Sequence, residues 1–330
     1  MSSSPQIVVA NLRKTFRVAE RQSGAMGAIR GLVKRTYREV KALDGISFTL
    51  DAGEMVGYIG PNGAGKSTTV KTLSGILVPD SGTCEVMGRV PWRERIPHVQ
   101  RIGVVFGQRT QLWWDLPVIE SLDLLRDIYQ VEPNVYRKTC DELVELLNLS
   151  PLLDTPVRQL SLGQRMRCDL AAALVHAPAI LFLDEPTIGL DAVSKLAVRE
   201  FIKTLNRERG VTVILTTHDM DDIEALCTRV IVVDGGRILS DGTLDDLRAR
   251  VSRDRHLTID LVDETEDIVD SDAAVIRKEG PRVHLRYDPS QVSTANLIAR
   301  ITARHAVRDL FVENPPIEEI VAHLYGGREG

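Results

Sequence analysis

No two of the four cysteines, Cys84, Cys140, Cys168 and Cys227, are spaced as a CxxC pair. That removes the usual sequence basis for a zinc site or a dithiol redox centre. The thiols read instead as buried groups of a reducing compartment. No apolar run reaches the 18 or more residues that a membrane-spanning helix needs. Residues 1–5 lack the basic and then apolar order of a secretion signal. These absences predict a cytoplasmic chain that would need a membrane-spanning partner to act at a membrane. Basic charge is not in excess either: 41 Lys and Arg stand against 46 Asp and Glu, a formal net charge of −5. Little is left over to displace counterions from a nucleic acid, so nucleic acid is not expected as a partner. There is no internal repeat and no low-complexity tract.

What is present fits two domains. The chain has 330 residues, with 43% hydrophobic and 26% charged, ordinary values for globular protein. Residues 6–16 alternate as a strand does. Residues 17–41 read as an insertion, in which Arg17, Arg21, Arg30, Lys34, Arg35, Arg38 and Lys41 face only Glu20 and Glu39. Ala25, Ile29, Leu32 and Val33 lie near helical spacing, so the insertion reads either as a short basic amphipathic helix or as a solvated loop. Residues 43–60 hold two strands broken at Asp51-Ala52-Gly53. Residues 91–178 read as mostly helical, with Pro117 opening one helix and Val135–Leu147 forming another. Beyond 179 apolar strands at Ile180–Leu183, Val211–Thr216 and Val230–Val233 alternate with helices, which implies a parallel sheet with helices on its faces. Asp234-Gly235-Gly236 is a hairpin turn signal. A domain over 1–245 and an accessory α+β unit over 246–330 follow. The second is predicted to contain strands at Leu257–Leu261 and Val283–Tyr287 and helices at Thr294–Ala303 and Ile317–Tyr325.

The chemistry begins at Gly60-Pro61-Asn62-Gly63-Ala64-Gly65-Lys66-Ser67-Thr68. It fits GxxxxGK[ST] between a predicted strand and a predicted helix. Glycines let backbone N–H groups turn in around phosphates, and the helix N-terminus adds positive potential. Lys66 reaches the outer phosphates and Ser67 can ligate Mg²⁺. The bland alternative is a glycine-rich turn capping a helix. The loop by itself says only that a nucleoside triphosphate is bound.

Downstream, the apolar strand Ile180–Leu183 ends in Asp184 and Glu185. A strand of a parallel sheet delivers its C-terminal end to the phosphates. Asp184 is therefore a candidate to hold Mg²⁺ through water, and Glu185 a candidate general base. Gln164, the end of Leu160-Ser161-Leu162-Gly163-Gln164, lies 20 residues before Asp184. Ser161 and Gln164 also have capping-box spacing, so a plain helix cap is the competing reading.

Here the chain resembles the ABC ATPase family, whose signature is LSGGQ, over about residues 6–245. The resemblance implies a P-loop NTPase of ABC type: an α/β fold with a mostly parallel sheet, an antiparallel β subdomain, a helical subdomain and, here, the small C-terminal α+β domain. It implies ATP and Mg²⁺ as cofactors and a dimer, expected to be a homodimer, in which Ser161, Gly163 and Gln164 of one subunit meet the γ-phosphate held by the other. Leu162 departs from the family's glycine. Ile188-Gly189-Leu190-Asp191 matches the D-loop, which brings Asp191 to the dimer interface. His218, after Thr216-Thr217, matches the switch histidine at the γ-phosphate. Gln108 matches the glutamine that senses Mg²⁺ and the attacking water, although Gly107 sits where that residue normally falls; Gln111 is the rival. Tyr37, 29 residues before Lys66, matches the aromatic that stacks on adenine, with Phe16 as rival. Asn62, Ala64 and Thr68 complete the nucleotide pocket.

The resemblance further implies an ATPase that powers export through separate integral membrane permeases, held at the cytoplasmic face of the membrane. Trp113-Trp114 lies where the family meets its permease, and core packing explains the pair equally well. The basic insertion would suit an acidic membrane surface or the permease. A soluble assembly ATPase of the iron–sulfur type stays open as the competing function. The motifs carry no information on cargo.

Overall fold

The computed structural model describes residues 5–19, 37–107, 109–251, 254–265, 267–315 and 317–326. Most of the basic insertion, residues 20–36, and Gln108 lie outside them. The chain divides into two compact units, residues 1–241 and 242–330; the sequence places the division a few residues later.

In the first unit β1 (Ile7–Ala19) and β2 (Tyr37–Leu50) form an antiparallel ladder. The ladder runs on past the expected end at residue 16, pairing Arg17 with Glu39, Val18 with Arg38 and Ala19 with Tyr37. The two ends of the insertion are thus strand. β3 (Met55–Ile59) is buried along its whole length, as suits a strand between neighbours on both sides. It leads into α1 (Lys66–Leu73). The Tyr58 hydroxyl meets that of Thr69 at 3.1 Å and fastens strand to helix. β4 (Ser81–Val86) returns to pair with β1, giving a three-stranded antiparallel sheet ordered β2-β1-β4. β4 has only Cys84 and Val86 buried. Two inward residues are too few for a legible alternation, and the sequence reading contains no strand there.

The expected helical stretch opens with the short α2 (Arg95–Val99) and then holds a strand, β5 (Ile102–Phe106). It continues as α3 (Val118–Tyr129), α4 (Pro133–Leu146) and α5 (Leu162–Leu174). Pro117 does open α3. The Glu132 carboxylate caps α4 by accepting from the backbone of Asn134 and Val135. After it come β6 (Ile180–Asp184), α6 (Ala192–Arg209), β7 (Thr212–Thr216), α7 (Met220–Leu226), β8 (Arg229–Asp234) and β9 (Arg237–Thr243). Six strands line up as β5-β6-β7-β3-β8-β9, with β5, β6, β7, β3 and β8 parallel. Gly235 and Gly236 both take positive φ in the turn before β9, as a two-residue hairpin demands. The C-terminal ends of β3, β6 and β7 lie side by side, so the residues that follow each strand meet at one edge of the sheet.

The second unit opens with α8 (Leu244–Val251), a helix that the sequence reading does not contain. Its strands are β10 (Arg255–Leu261), β11 (Ala273–Glu279), β12 (Arg282–Tyr287) and β13 (Val307–Glu313), with α9 (Thr294–Arg304) before β13 and α10 (Ile317–Gly326) after it. The sheet is antiparallel in the order β11-β12-β10-β13. That is the strand order of the split β-α-β arrangement. Leu257, Ile259, Leu285, Tyr287, Leu297 and Ile301 form its core. The edge strands β11 and β13 were not legible in the sequence because they are almost wholly exposed.

Candidate functional site

The loop between β3 and α1 encloses its own anion site. Gly65 caps α1 at φ +107°, and Gly63 takes φ +86°, a region that L side chains avoid. A β-carbon on Gly65 would run into the Ala42 carbonyl, so glycine is also the residue that lets β2 close over the loop. The Lys66 ammonium is buried and donates to the carbonyls of Gly60 at 2.7 Å and Pro61 at 3.2 Å. Burial lowers its pKa, while Glu185 and Asp184 pull it back up.

Two strand ends face this loop. Asp184 closes β6, and its Oδ1 accepts the hydroxyls of Ser67 at 3.2 Å and Thr216 at 2.5 Å. Glu185 follows with φ +56°, uncommon for a residue with a side chain; its N–H donates to the Thr216 carbonyl at 2.8 Å. Backbone strain held by surrounding bonds is typical of functional positions. Glu185 Oε1 lies 3.6 Å from Nδ1 of His218, whose ring is largely exposed. From β5, the Gly107 N–H donates to the Asp184 carbonyl at 2.8 Å, and the Arg109 N–H turns back to the Phe106 carbonyl at 2.8 Å. Gln108 itself lies outside the described residues. The rival Gln111 points elsewhere: its amide donates to the Asp169 carbonyl at 2.9 Å, and its N–H to the Asp169 carboxylate at 3.1 Å.

A cleft of ≈ 840 Å³ runs between these elements. Asn62, Ser67, Asp184, Glu185 and His218 line it, all expected from the sequence, together with Ile188. Lys71 and Arg109 line it too, and the sequence reading missed both. Lys71 stands four residues after Ser67, on the same face of α1. Arg109 is delivered by the turn. The two cations add to Lys66 opposite Asp184 and Glu185, a charge balance suited to a polyphosphate with a divalent cation. The hydroxyl and carboxylate oxygens of Ser67 and Asp184 are the hard donors that Mg²⁺ takes.

Ala64 is buried beneath the loop, with its carbonyl accepting from Gly236 N at 3.1 Å. Thr68 sits in the first turn of α1. Tyr37, 54% exposed, begins β2. Phe16 pairs with Val40, three residues nearer to the Ala42 carbonyl that meets the loop.

Ser161, Gly163, Gln164 and Asp191 do not line the cleft. Ser161 and Gln164 make the predicted capping box at the head of α5, with bonds of 3.2 and 2.9 Å. Gly163 abuts Ser194, and Leu162 packs against Gly189. Asp191 caps α6 through Ser194, accepting its N–H at 2.9 Å and its hydroxyl at 2.7 Å, which holds the carboxyl below its usual pKa. Trp113 and Trp114 are 38% and 50% exposed, so core packing does not account for them; the Arg165 guanidinium lies over the Trp114 ring at 5.6 Å. Among the described residues no helix is long and apolar enough to cross a membrane.

The model of the ABC transporter family matches residues 43–188. The linearmycin resistance ATP-binding protein LnrL of Bacillus subtilis is 33% identical over 302 residues, covering 89% of this chain and 96% of that protein. The daunorubicin resistance ATP-binding protein DrrA3 of Streptomyces coeruleorubidus is 35% identical over 304 residues, covering 89% and 94%. Among solved structures, an ATP-binding subunit of an ABC transporter superposes with TM-score 0.62 at 25% identity, over 74% of this chain and 92% of that one. A dimeric ATP-binding cassette in a post-hydrolysis state with ADP and phosphate does so with TM-score 0.59 at 26% identity, over 72% and 98%.

Proposed function

The chain belongs to the ABC transporter family as an ATP-binding subunit, and from that premise we propose how its residues bind and cleave ATP and what they drive. Its site hydrolyses ATP. Lys66 and the loop N–H groups, with Gly63 and Gly65 shaping the turn, hold the β- and γ-phosphates. Asn62, Ala64 and Thr68 complete the pocket around them. Ser67 and Asp184 would hold Mg²⁺, which would supply neutralisation of phosphate charge there; Gln108 would contribute to the same region. Tyr37 stacks on adenine, with Phe16 the competitor. Glu185 accepts a proton from the attacking water, and His218 donates a hydrogen bond to the γ-phosphate.

Among the described residues, Ser161, Gly163 and Gln164 do not line the cleft. A second subunit supplies them, and Asp191 lies at that contact. ATP closes this dimer and loss of phosphate reopens it, so differential affinity for the two nucleotides drives the cycle. The cycle powers export through integral membrane permeases, with Trp113 and Trp114 on the docking side. Export is favoured over import by the resistance proteins among its relatives. The chain sits at the cytoplasmic face of the membrane.

The observation that carries this reading is the convergence of Ser67, Asp184, Glu185 and His218 on one cleft. Glu185→Gln should abolish turnover, keep ATP binding and trap an ATP-dependent dimer in sedimentation. Wild-type hydrolysis by that variant would refute the base assignment. Purification of the tagged chain in mild detergent should bring down a polytopic membrane protein. Recovery of soluble partners alone would move the function to the assembly-ATPase alternative.

A further inference from the structure

One buried charge outside the residues assigned above touches both loops that carry the proposed chemistry. Asp222, in the first turn of α7, has a side chain 0% exposed. Its Oδ1 accepts Arg199 Nε at 2.5 Å. Its Oδ2 accepts the Thr187 hydroxyl and, at 3.3 Å, the Thr217 hydroxyl. Thr187 lies two residues after Glu185, and Thr217 immediately precedes His218. Both threonines are buried. Asp219, on the other side of His218, donates its N–H to the Thr217 hydroxyl at 3.0 Å. Its carboxylate pairs with Lys195 and, at 3.6 Å, with Arg199. Lys195 and Arg199 both project from α6, the helix that Asp191 caps.

We infer that Asp222 is a positioning residue for hydrolysis: with Arg199 as counter-charge, it clamps the segment after Glu185 to the segment around His218, so that the two side chains keep their spacing. This rests on the roles proposed above for Glu185 and His218. A carboxylate suits the task because it alone offers enough lone pairs for a guanidinium and two hydroxyls at once. A carboxylate kept only to neutralise Arg199 would not also bond the two hydroxyls. Desolvation makes the bonds stiff and costly to break. The Lys195 and Arg199 pairs to Asp219 extend the same frame to α6, so the D-loop and the histidine loop move as one body when the dimer closes.

The test removes one hydroxyl at a time. Thr187→Val is close in shape and deletes only the donor; Thr187→Ser retains it. Steady-state ATPase kinetics and equilibrium ATP binding are measured for each. Thr187→Val should lower kcat about 10- to 100-fold with KM and ATP affinity within about threefold, the expected range for misplacing a general base. Thr187→Ser should return kcat to within about threefold of wild type. Thr217→Val should lower kcat likewise, and the double variant should lose less than the product of the single losses, because both hydroxyls act through one carboxylate. Should Thr187→Val fail to fold, Thr217→Val alone carries the same expectation. Unchanged kcat in both valine variants, a loss seen in KM instead, or no rescue by serine would overturn the inference. Glu185→Gln measured alongside separates the two claims. If that variant is inactive while the valine variants are normal, the clamp fails and the base stands. If it stays active, the base assignment fails, and the clamp inference that rests on it falls with it, whatever the valine variants do.

Discussion

Gly107 gives the sharpest forecast. The family pattern places a glutamine there, so Gly107→Gln looks like a return to type. The structure predicts inactivation instead. The Gly107 N–H is committed to the Asp184 carbonyl at 2.8 Å, and a β-carbon at this position would run into the Glu185 carbonyl. The Glu185 carbonyl has little freedom to swing aside, because its own N–H is bonded to Thr216 at 2.8 Å and its φ is already +56°. Relief must come from opening the ends of β5 and β6 by roughly 1 Å. Overpacking of this kind costs about 1–3 kcal/mol of stability, and a shift of that size in a positioned base costs about 100-fold in rate. The loop that holds the phosphates is on a different strand, so the KM for ATP should move little. Gly107→Ala is the cleaner probe, as it adds a single methyl. Its kcat, KM and Tm are compared with wild type at saturating Mg²⁺. A kcat within about threefold of wild type with an unchanged Tm would refute the argument, since the β-carbon would then have found room at no cost.

Three further outcomes can be read out. Burial raises the Asp169 carboxyl to about 6, so the folded state holds a proton that the unfolded chain releases at lower pH. This contribution to stability is fully present below the ordinary carboxylate range and is lost as pH rises through about 6. Asp169→Asn keeps an acceptor for Thr110 and Gln111 but cannot ionise. Its Tm relative to wild type should climb between about pH 4 and pH 7, by an amount on the order of 3 kcal/mol of stability, and a flat difference would contradict the buried charge. At the adenine end, Tyr37→Ala should raise the KM for ATP roughly 5- to 100-fold, the worth of one base stacking on an aromatic; the same rise in Phe16→Ala with none in Tyr37→Ala would reassign the platform. Trp114→Ala should leave basal ATPase activity within about twofold and lose the co-purifying membrane protein, and retention of that partner would place the docking surface elsewhere.

The proposed site was legible where its residues are contiguous or fixed by a sheet rule. Gly60–Thr68 is a local pattern. Asp184, Glu185 and His218 follow strands whose C-terminal ends must gather at one edge, and the helix cap Ser161–Gln164 is complete within four residues. What stayed hidden depends on pairing across distance. Thr187 and Arg199 reach Asp222 over 35 and 23 residues, with nothing in any of the three local sequences to signal it. The edge strands β11 and β13 lack a buried face to impose alternation, and Arg109 enters the cleft only because a turn closes at Phe106.

Leu162 shows the same division within a single residue. The sequence marks it as a side chain where the family has none, and on that view alone it threatens the close approach of backbone to phosphate. The structure places its Cδ2 where a β-carbon on Gly189 would come within 3.0 Å, so the leucine rests on the D-loop of its own chain rather than on the cleft. Gly189 supplies the room, at φ +70°. The volume added at one glycine of the signature is thus accommodated by a glycine of another motif 27 residues on. A departure judged by its motif alone looks like a defect, while judged with the neighbour that packs on it, it is a contact between the two segments proposed to face a second subunit.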